Sequence, residues 1–216
     1  MRPRLWNGSP IWSWKRVAAE PSSAGSNARN YRSSPASTRF FAHHKSRSQN
    51  KNRVLRLLDL SFIANGTNLV LIGNPGVGKT FLSKIVGWRA CQSNQRVLFT
   101  TALDMLNHLL ASQVDHSLVR KLKAYTEPAL LICDELGYLA LDQQSSNLFY
   151  QVISIRHSQK RSTIITTNTP FSDWGNILFN TTIATAIADR LVENSEIFLF
   201  GGDSLRKPKN PNPPAE

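Results

Sequence analysis

Long apolar runs are missing from this 216-residue chain. A membrane-spanning helix needs roughly 18 or more consecutive apolar residues. The longest runs here, such as Leu69-Val70-Leu71-Ile72 and Ala129-Leu130-Leu131-Ile132-Cys133, are far shorter. No membrane partner is expected. Cysteine is scarce: Cys91 and Cys133 are the only two, and they are not spaced as a metal-binding pair. Both read as reduced core residues, which fits a cytoplasmic protein. Acids are nearly absent from the first quarter. Residues 1–56 carry twelve Lys and Arg against one acid, Glu20, whereas residues 57–216 carry fourteen against thirteen. Nearly all of the net charge of +12 therefore belongs to the N-terminal stretch. Residues 1–50 also lack helical or strand periodicity. Prolines fall at 3, 10, 21 and 35, and Trp6, Trp12 and Trp14 have no companion apolar face. This composition predicts a disordered basic arm, one able to neutralise DNA phosphates. Its prolines argue against the amphipathic helix of an organelle transit peptide.

Order is expected from about Asn52. Val54, Leu55, Leu57, Leu58 and Phe62 fit one helix face, and Asn65-Gly66 ends it. From Asn68 strands and helices alternate. Strands are expected at Leu69–Ile72, Val97–Thr100, Leu130–Cys133, Thr163–Thr167 and Glu196–Phe200. Between them lie helices at about Lys79–Cys91, Ala102–Ser112, Gln144–His157 and Ile183–Val192. A further helix through Leu118, Leu122 and Tyr125 exposes Arg120, Lys121 and Lys123. Such alternation implies an α/β domain over 51–206, a parallel sheet sandwiched by helices. Residues 207–216 read as a Pro-rich tail, leaving little or no room for a C-terminal lid domain.

The segment Gly73-Asn74-Pro75-Gly76-Val77-Gly78-Lys79-Thr80 fits the phosphate-binding loop G-x-x-x-x-G-K-[ST], and Phe81 follows it. Its glycines let the backbone curl so that N–H groups face phosphate oxygens. The following helix adds its positive N-terminal end. Lys79 is expected at the β- and γ-phosphates and Thr80 on Mg²⁺. Leu130–Cys133 leads into Asp134-Glu135. A carboxylate at the end of a buried strand belongs at the C-terminal edge of the sheet, so Asp134 is assigned to the Mg²⁺ shell. Glu135 is assigned as the general base for a lytic water. These residues predict a P-loop NTPase that hydrolyses ATP. Asn168, ending the strand Thr163–Thr167, either orients that water or is an ordinary turn residue before Thr169-Pro170. Arg190 lies on an apolar helix beside Asp189. It is a surface cation, a partner of Asp189, or a finger for a neighbouring subunit's nucleotide.

From Asn52 to Arg206 the chain resembles the IstB-like ATPases of insertion sequences, relatives of DnaC-type helicase loaders. The resemblance rests on NLVLIGNPGVGKTF (Asn68–Phe81), VLFTTALDMLNHLL (Val97–Leu110), LLICDELGYLAL (Leu130–Leu141) and NLFYQVISIRH (Asn147–His157). It continues through TIITTNTPFSDW (Thr163–Trp174), IATAIADRLVENSE (Ile183–Glu196) and GGDSLR (Gly201–Arg206). The tracts Asp134–Leu139 and Pro170–Trp174 are more specific than the phosphate loop. The resemblance implies an AAA+ fold of the initiator clade and ATP-dependent self-assembly on double-stranded DNA. It also implies a partner transposase from the same mobile element, Asn168 as first sensor and Arg190 as a trans-acting finger. The family usually has Tyr before the last Arg of its terminal tract. Leu205 stands there in this chain, a departure that leaves Arg206 either as a second ATP sensor or, favoured by that departure, as a surface cation beside Lys207 and Lys209. Residues 1–50 do not resemble the family's N-terminal region. They read like a chance reading frame joined to a real gene, from a degraded element copy or a misplaced start. The leading function is an ATPase that assists transposition. The alternatives are a helicase loader, which would need a packed N-terminal domain, and a non-catalytic remnant that binds ATP.

Overall fold

In the computed structural model the described residues are 12–14, 52–204 and 206, with backbone alone for 12–14. The remainder of the basic arm and the Pro-rich tail lie outside them. In chain order the elements are β1 (Trp12–Trp14), α1 (52–57), α2 (Ser61–Ala64), β2 (Asn68–Gly73) and α3 (Lys79–Gln92). Next come β3 (Val97–Thr101), α4 (Ala102–Val114), α5 (Leu118–Thr126), β4 (Leu130–Leu136) and α6 (Gln143–Ser158). β5 (Ser162–Thr167), a 3₁₀ turn at Phe171–Asp173, α7 (Trp174–Ile177), α8 (Thr181–Val192) and β6 (Ser195–Phe200) follow.

The sheet order is β1-β3-β4-β5-β2-β6. The five strands β3, β4, β5, β2 and β6 are parallel, while β1 pairs antiparallel with β3. The central strands are apolar on both faces because helices cover both. Side-chain alternation divides them. Leu130, Ile132 and Ile164 pack with α1–α3, through Val54, Leu57, Leu82, Val86 and Ala90. Leu131, Cys133 and Ile165 pack with α4–α8, through Met105, Leu106, Phe149, Val152, Trp174 and Ile187. Side-chain caps start three of these helices: Thr101 accepts from Asp104 N, Asp142 from Ser145 N and Asn180 from Ile183 N.

Two expectations are corrected. The composition of residues 1–50 predicts a disordered arm, yet residues 12–14 form an edge strand in register with Val97–Phe99. An open sheet edge offers unpaired N–H and C=O groups, and pairing with them requires no apolar face on the incoming strand. The helix expected from Asn52 to Asn65 is broken at 58–60, where Leu60 has φ 61°. The break serves two anchors. Arg53 Nη2 donates to Ile197 O on β6 at 3.2 Å, whereas the carbonyl of Phe62 accepts from Ser162 Oγ at the start of β5 at 3.1 Å.

Arg156 on α6 is buried without a carboxylate partner among the described residues. Its Nη1 donates to the carbonyls of Tyr125 and Pro128, each at 2.9 Å, its Nε to Thr163 Oγ1 at 2.9 Å, and its Nη2 to Ser162 O. One guanidinium thus ties α5, the approach to β4, and β5 to α6. Burial, with Arg161 adding repulsion, lowers its pKa to about 9, so it remains a cation at neutral pH.

Candidate nucleotide site

The C-terminal edge of the parallel strands gathers the expected site residues. β2 ends at Gly73 between β5 and the edge strand β6, and the loop 74–78 turns into α3 at Lys79. Gly76 and Gly78 have φ of +81° and +97°, where a side chain would strain the backbone. A Cβ on Gly73 would meet the Phe200 carbonyl oxygen at 2.2 Å, so β6 packs directly against the start of the loop. Val77 is fully buried and pins the loop from below, while Asn74 and Pro75 are exposed. Phe81 is exposed on the first turn of α3.

Lys79 Nζ donates to the carbonyls of Gly73 and Asn74 at 2.6 and 2.9 Å. The ammonium therefore sits over the loop it would share with phosphate. Burial lowers its pKa; Asp134 and Glu135 oppose that shift, and Arg206 reinforces it. The terminal segment, one of whose two readings gave Arg206 a sensor role, thus reaches the site. Ser204 Oγ stands 2.0 Å from where a Cβ on Gly76 would be. It also accepts from Arg206 N at 3.1 Å.

The acidic pair is held by a residue that sequence reasoning overlooked. Asp134 is 3 % exposed, and its Oδ1 accepts from Thr80 Oγ1 at 3.0 Å and Thr166 Oγ1 at 2.5 Å. The same Thr166 hydroxyl accepts from the backbone N–H of Glu135 at 3.0 Å. At Glu135 the strand leaves its regular form. φ is +61° and the β4–β5 register shifts between Cys133 and Leu136. Because of this bulge Asp134 and Leu136 are buried while the Glu135 side chain is exposed at the edge. A left-handed conformation for a bulky residue is costly and clusters at functional positions. The available signal for Thr166 was a hydroxyl in β5 one residue before its end, beside an acid-tipped strand.

Ile72 pairs with Thr167, so Asn168 follows level with Gly73 and is exposed next to the loop. Its Oδ1 accepts from Thr169 Oγ1 at 3.2 Å. Arg190 is elsewhere. Its Nη1 donates to Ala186 O at 2.9 Å, and its guanidinium lies 4.8 Å from the centre of the Tyr150 ring, on α6.

Mg²⁺ prefers oxygen ligands and is commonly held by one or two carboxylates plus substrate phosphates. The Thr80–Asp134 pair fits that donor set. No cluster of three or more His, Cys, Asp or Glu able to hold a metal unaided occurs among the described residues.

A family model described as IstB-like ATP binding protein matches residues 35–212. The chain belongs to this family. It is 38 % identical over 159 residues to an insertion-sequence ATP-binding protein of Geobacillus stearothermophilus, an alignment covering 74 % of this chain and 63 % of that protein. It is 36 % identical over 159 residues to one from Bacillus thuringiensis, with the same coverage of 74 % and 63 %. The chain thus spans less than two thirds of the length of these relatives. The crystal structure of the DnaC helicase loader has the same fold, with TM-score 0.61 and 23 % identity, over 75 % of this chain and 96 % of that one. AMPPCP-bound DnaA from Aquifex aeolicus superposes with TM-score 0.61 at 15 % identity, over 74 % of this chain and 48 % of that one. The IstB-like chain therefore has the P-loop AAA+ architecture expected for it. No helix among its described residues is long and apolar enough to cross a membrane.

Proposed function

We propose that this IstB-like chain is an ATP hydrolase that assembles on duplex DNA and assists the transposase of an insertion sequence. The observation that carries the ATPase part is the hydrogen-bonded chain Thr80–Asp134–Thr166–Glu135 beside the glycine loop. Thr80 and Asp134 would hold Mg²⁺, which when bound neutralises charge on the β- and γ-phosphate oxygens. The loop N–H groups and Lys79 take the phosphates, Lys79 exchanging its two carbonyl partners for phosphate oxygen. Glu135 accepts the proton of a water as the water oxygen attacks the γ-phosphorus. The bond to the β-bridging oxygen breaks, and its electrons leave with ADP. Asn168 orients the water from the adjacent strand end. A non-catalytic remnant is less well supported, because loop, lysine, metal ligands and base are all present.

Arg190 is not directed at the phosphate loop or the acidic pair of its own chain, which supports a role only toward a neighbour. Arg190→Ala would then bind ATP normally and hydrolyse it poorly, and mixing it with Lys79→Ala would restore turnover. Duplex binding is supported by α5, whose Arg120 and Lys123 are exposed beside a half-buried Lys121. The insertion-sequence names of relatives at 36–38 % identity favour the transposition role over helicase loading, for which the likeness is one of fold at 23 %. The test is ATP turnover with and without duplex DNA. DNA-stimulated hydrolysis, lost in Glu135→Gln while ATP is retained, is expected. Turnover no higher than in Lys79→Ala would overturn the reading.

A further inference from the structure

Arg190, in the last turn of α8, is held by an aromatic ring rather than by an acid. α6 and α8 share one core, through Phe149 and Val152 on the first and Ile187 and Leu191 on the second. Tyr150 lies half-buried at the rim of that core. The Arg190 side chain folds back along its helix. Nη1 donates to Ala186 O, one turn earlier, at 2.9 Å, and the guanidinium carbon stands 4.8 Å from the centre of the Tyr150 ring. Two acids are near it in the chain, and neither takes it. Asp189 is the adjacent residue, and neighbours at i and i+1 do not face each other on a helix. Glu193 is one turn on, but its carboxylate pairs with His157 Nε2 at 2.7 Å. Among the described residues Arg190 makes no ion pair.

The kind of partner matters to a cation that must act elsewhere. A carboxylate would neutralise the guanidinium and would have to be displaced before a phosphate oxygen could replace it. The negative face of an aromatic ring attracts the cation and leaves its charge intact. It also leaves the donors. A guanidinium carries five N–H groups in a fixed fork, and the Ala186 carbonyl engages one nitrogen. Held by ring and carbonyl, the side chain has already given up much of its rotamer freedom, so less is lost when it meets a target.

We infer that Tyr150 is a positioning residue for ATP hydrolysis, one that aims Arg190 of its own chain at the γ-phosphate bound by the next copy in the assembly. The inference rests on the reading of Arg190 as a trans-acting finger and adds the residue that directs it. Tyr150 touches no substrate. Its ring acts through the guanidinium, so its loss should slow the chemical step and leave nucleotide binding, which belongs to the phosphate loop, as it was. A role confined to packing α6 against α8 would instead appear in stability, and would not depend on the electron density of the ring.

The full chain, with Mg²⁺ and duplex DNA, is assayed for ATP turnover and, with a fluorescent nucleotide, for affinity. Tyr150→Phe keeps the ring face and should retain wild-type turnover. Tyr150→Leu should lower kcat about fivefold, the size of a cation–π contact at a part-exposed site, with KM and ATP affinity unchanged. In the Arg190→Ala background the same change should have no further effect. Mixing Tyr150→Leu with Lys79→Ala should recover turnover, since the intact phosphate loop then receives an Arg190 seated on a wild-type ring. Progressive fluorination of the ring in Tyr150→Phe keeps its shape and weakens its negative face, so turnover should fall with each fluorine; this series decides the matter if Tyr150→Leu does not fold. Wild-type turnover in Tyr150→Leu, an undiminished loss in the Arg190→Ala background, no recovery on mixing, a matching loss of ATP affinity, or a flat response to fluorination would overturn this inference alone. Wild-type turnover in Arg190→Ala would overturn it together with the finger reading beneath it.

Discussion

Two strand-to-helix connections leave the same edge of the sheet and behave differently. Five residues join β2 to α3, and six join β4 to α6. The first curls inward. Val77 is buried beneath it, positive-φ glycines shape it, and Lys79 caps its carbonyls. The second turns outward after a bulge and exposes Tyr138 and Leu139. One loop presents its backbone; the other presents its side chains to solvent. The difference arises at the strand ends. β2 ends in Gly73, which lets backbone approach backbone, whereas β4 carries near its end two carboxylates that must be separated, one into the interior and one toward water.

The largest break of this comparison is expected from the inward loop. Lys79→Ala should abolish ATP binding, measured with a fluorescent nucleotide, while circular dichroism stays native. Wild-type affinity would remove the loop from nucleotide recognition. Next is the outward-turning strand end. Glu135→Gln keeps shape and polarity and removes the base, so ATP stays bound and turnover falls by roughly 10²–10⁴-fold. Persistent wild-type turnover would return Glu135 to a surface role.

A third variant separates site from scaffold. Arg156→Met leaves the carbonyls of Tyr125 and Pro128 in the interior without their donor. We expect a loss of about 3 kcal/mol in stability, from the loss of charge-assisted hydrogen bonds. The urea midpoint reports it, and ATP affinity per folded molecule stays unchanged. The smallest effect sharpens the contrast most. Thr166→Val removes the donor to Asp134 and the acceptor for Glu135 N, and it should slow hydrolysis about tenfold, or roughly 1.4 kcal/mol, with ATP affinity preserved. An equal loss of affinity and turnover would mean that Thr166 supports the whole edge rather than the acidic pair.

Most elements were legible in the sequence because period and punctuation agree. β2 is an apolar run entering a glycine loop, and α4, α6 and α8 begin at the Thr101, Asp142 and Asn180 caps. The pieces that escaped are those whose conformation answers to distant residues. The break at 58–60 depends on anchors at Ile197 and Ser162, and the strand at 12–14 depends on an open edge at β3. Neither dependence leaves a local pattern.

The sequence by itself determined the chemistry at each strand end: glycines, lysine and threonine after β2, two acids near the end of β4, an amide after β5. Residue type and an apolar strand before it suffice to put such groups at one edge of a parallel sheet. Only the tertiary structure decided their order and linkage. It set β5 between β4 and β2, so that one Thr166 hydroxyl serves both Asp134 and Glu135, and it brought Ser204 against Gly76 and Arg206 within electrostatic reach of Lys79. Strand order is a property of crossovers between segments far apart in the chain, and hydrogen bonds across it join residues that no spacing in the sequence relates.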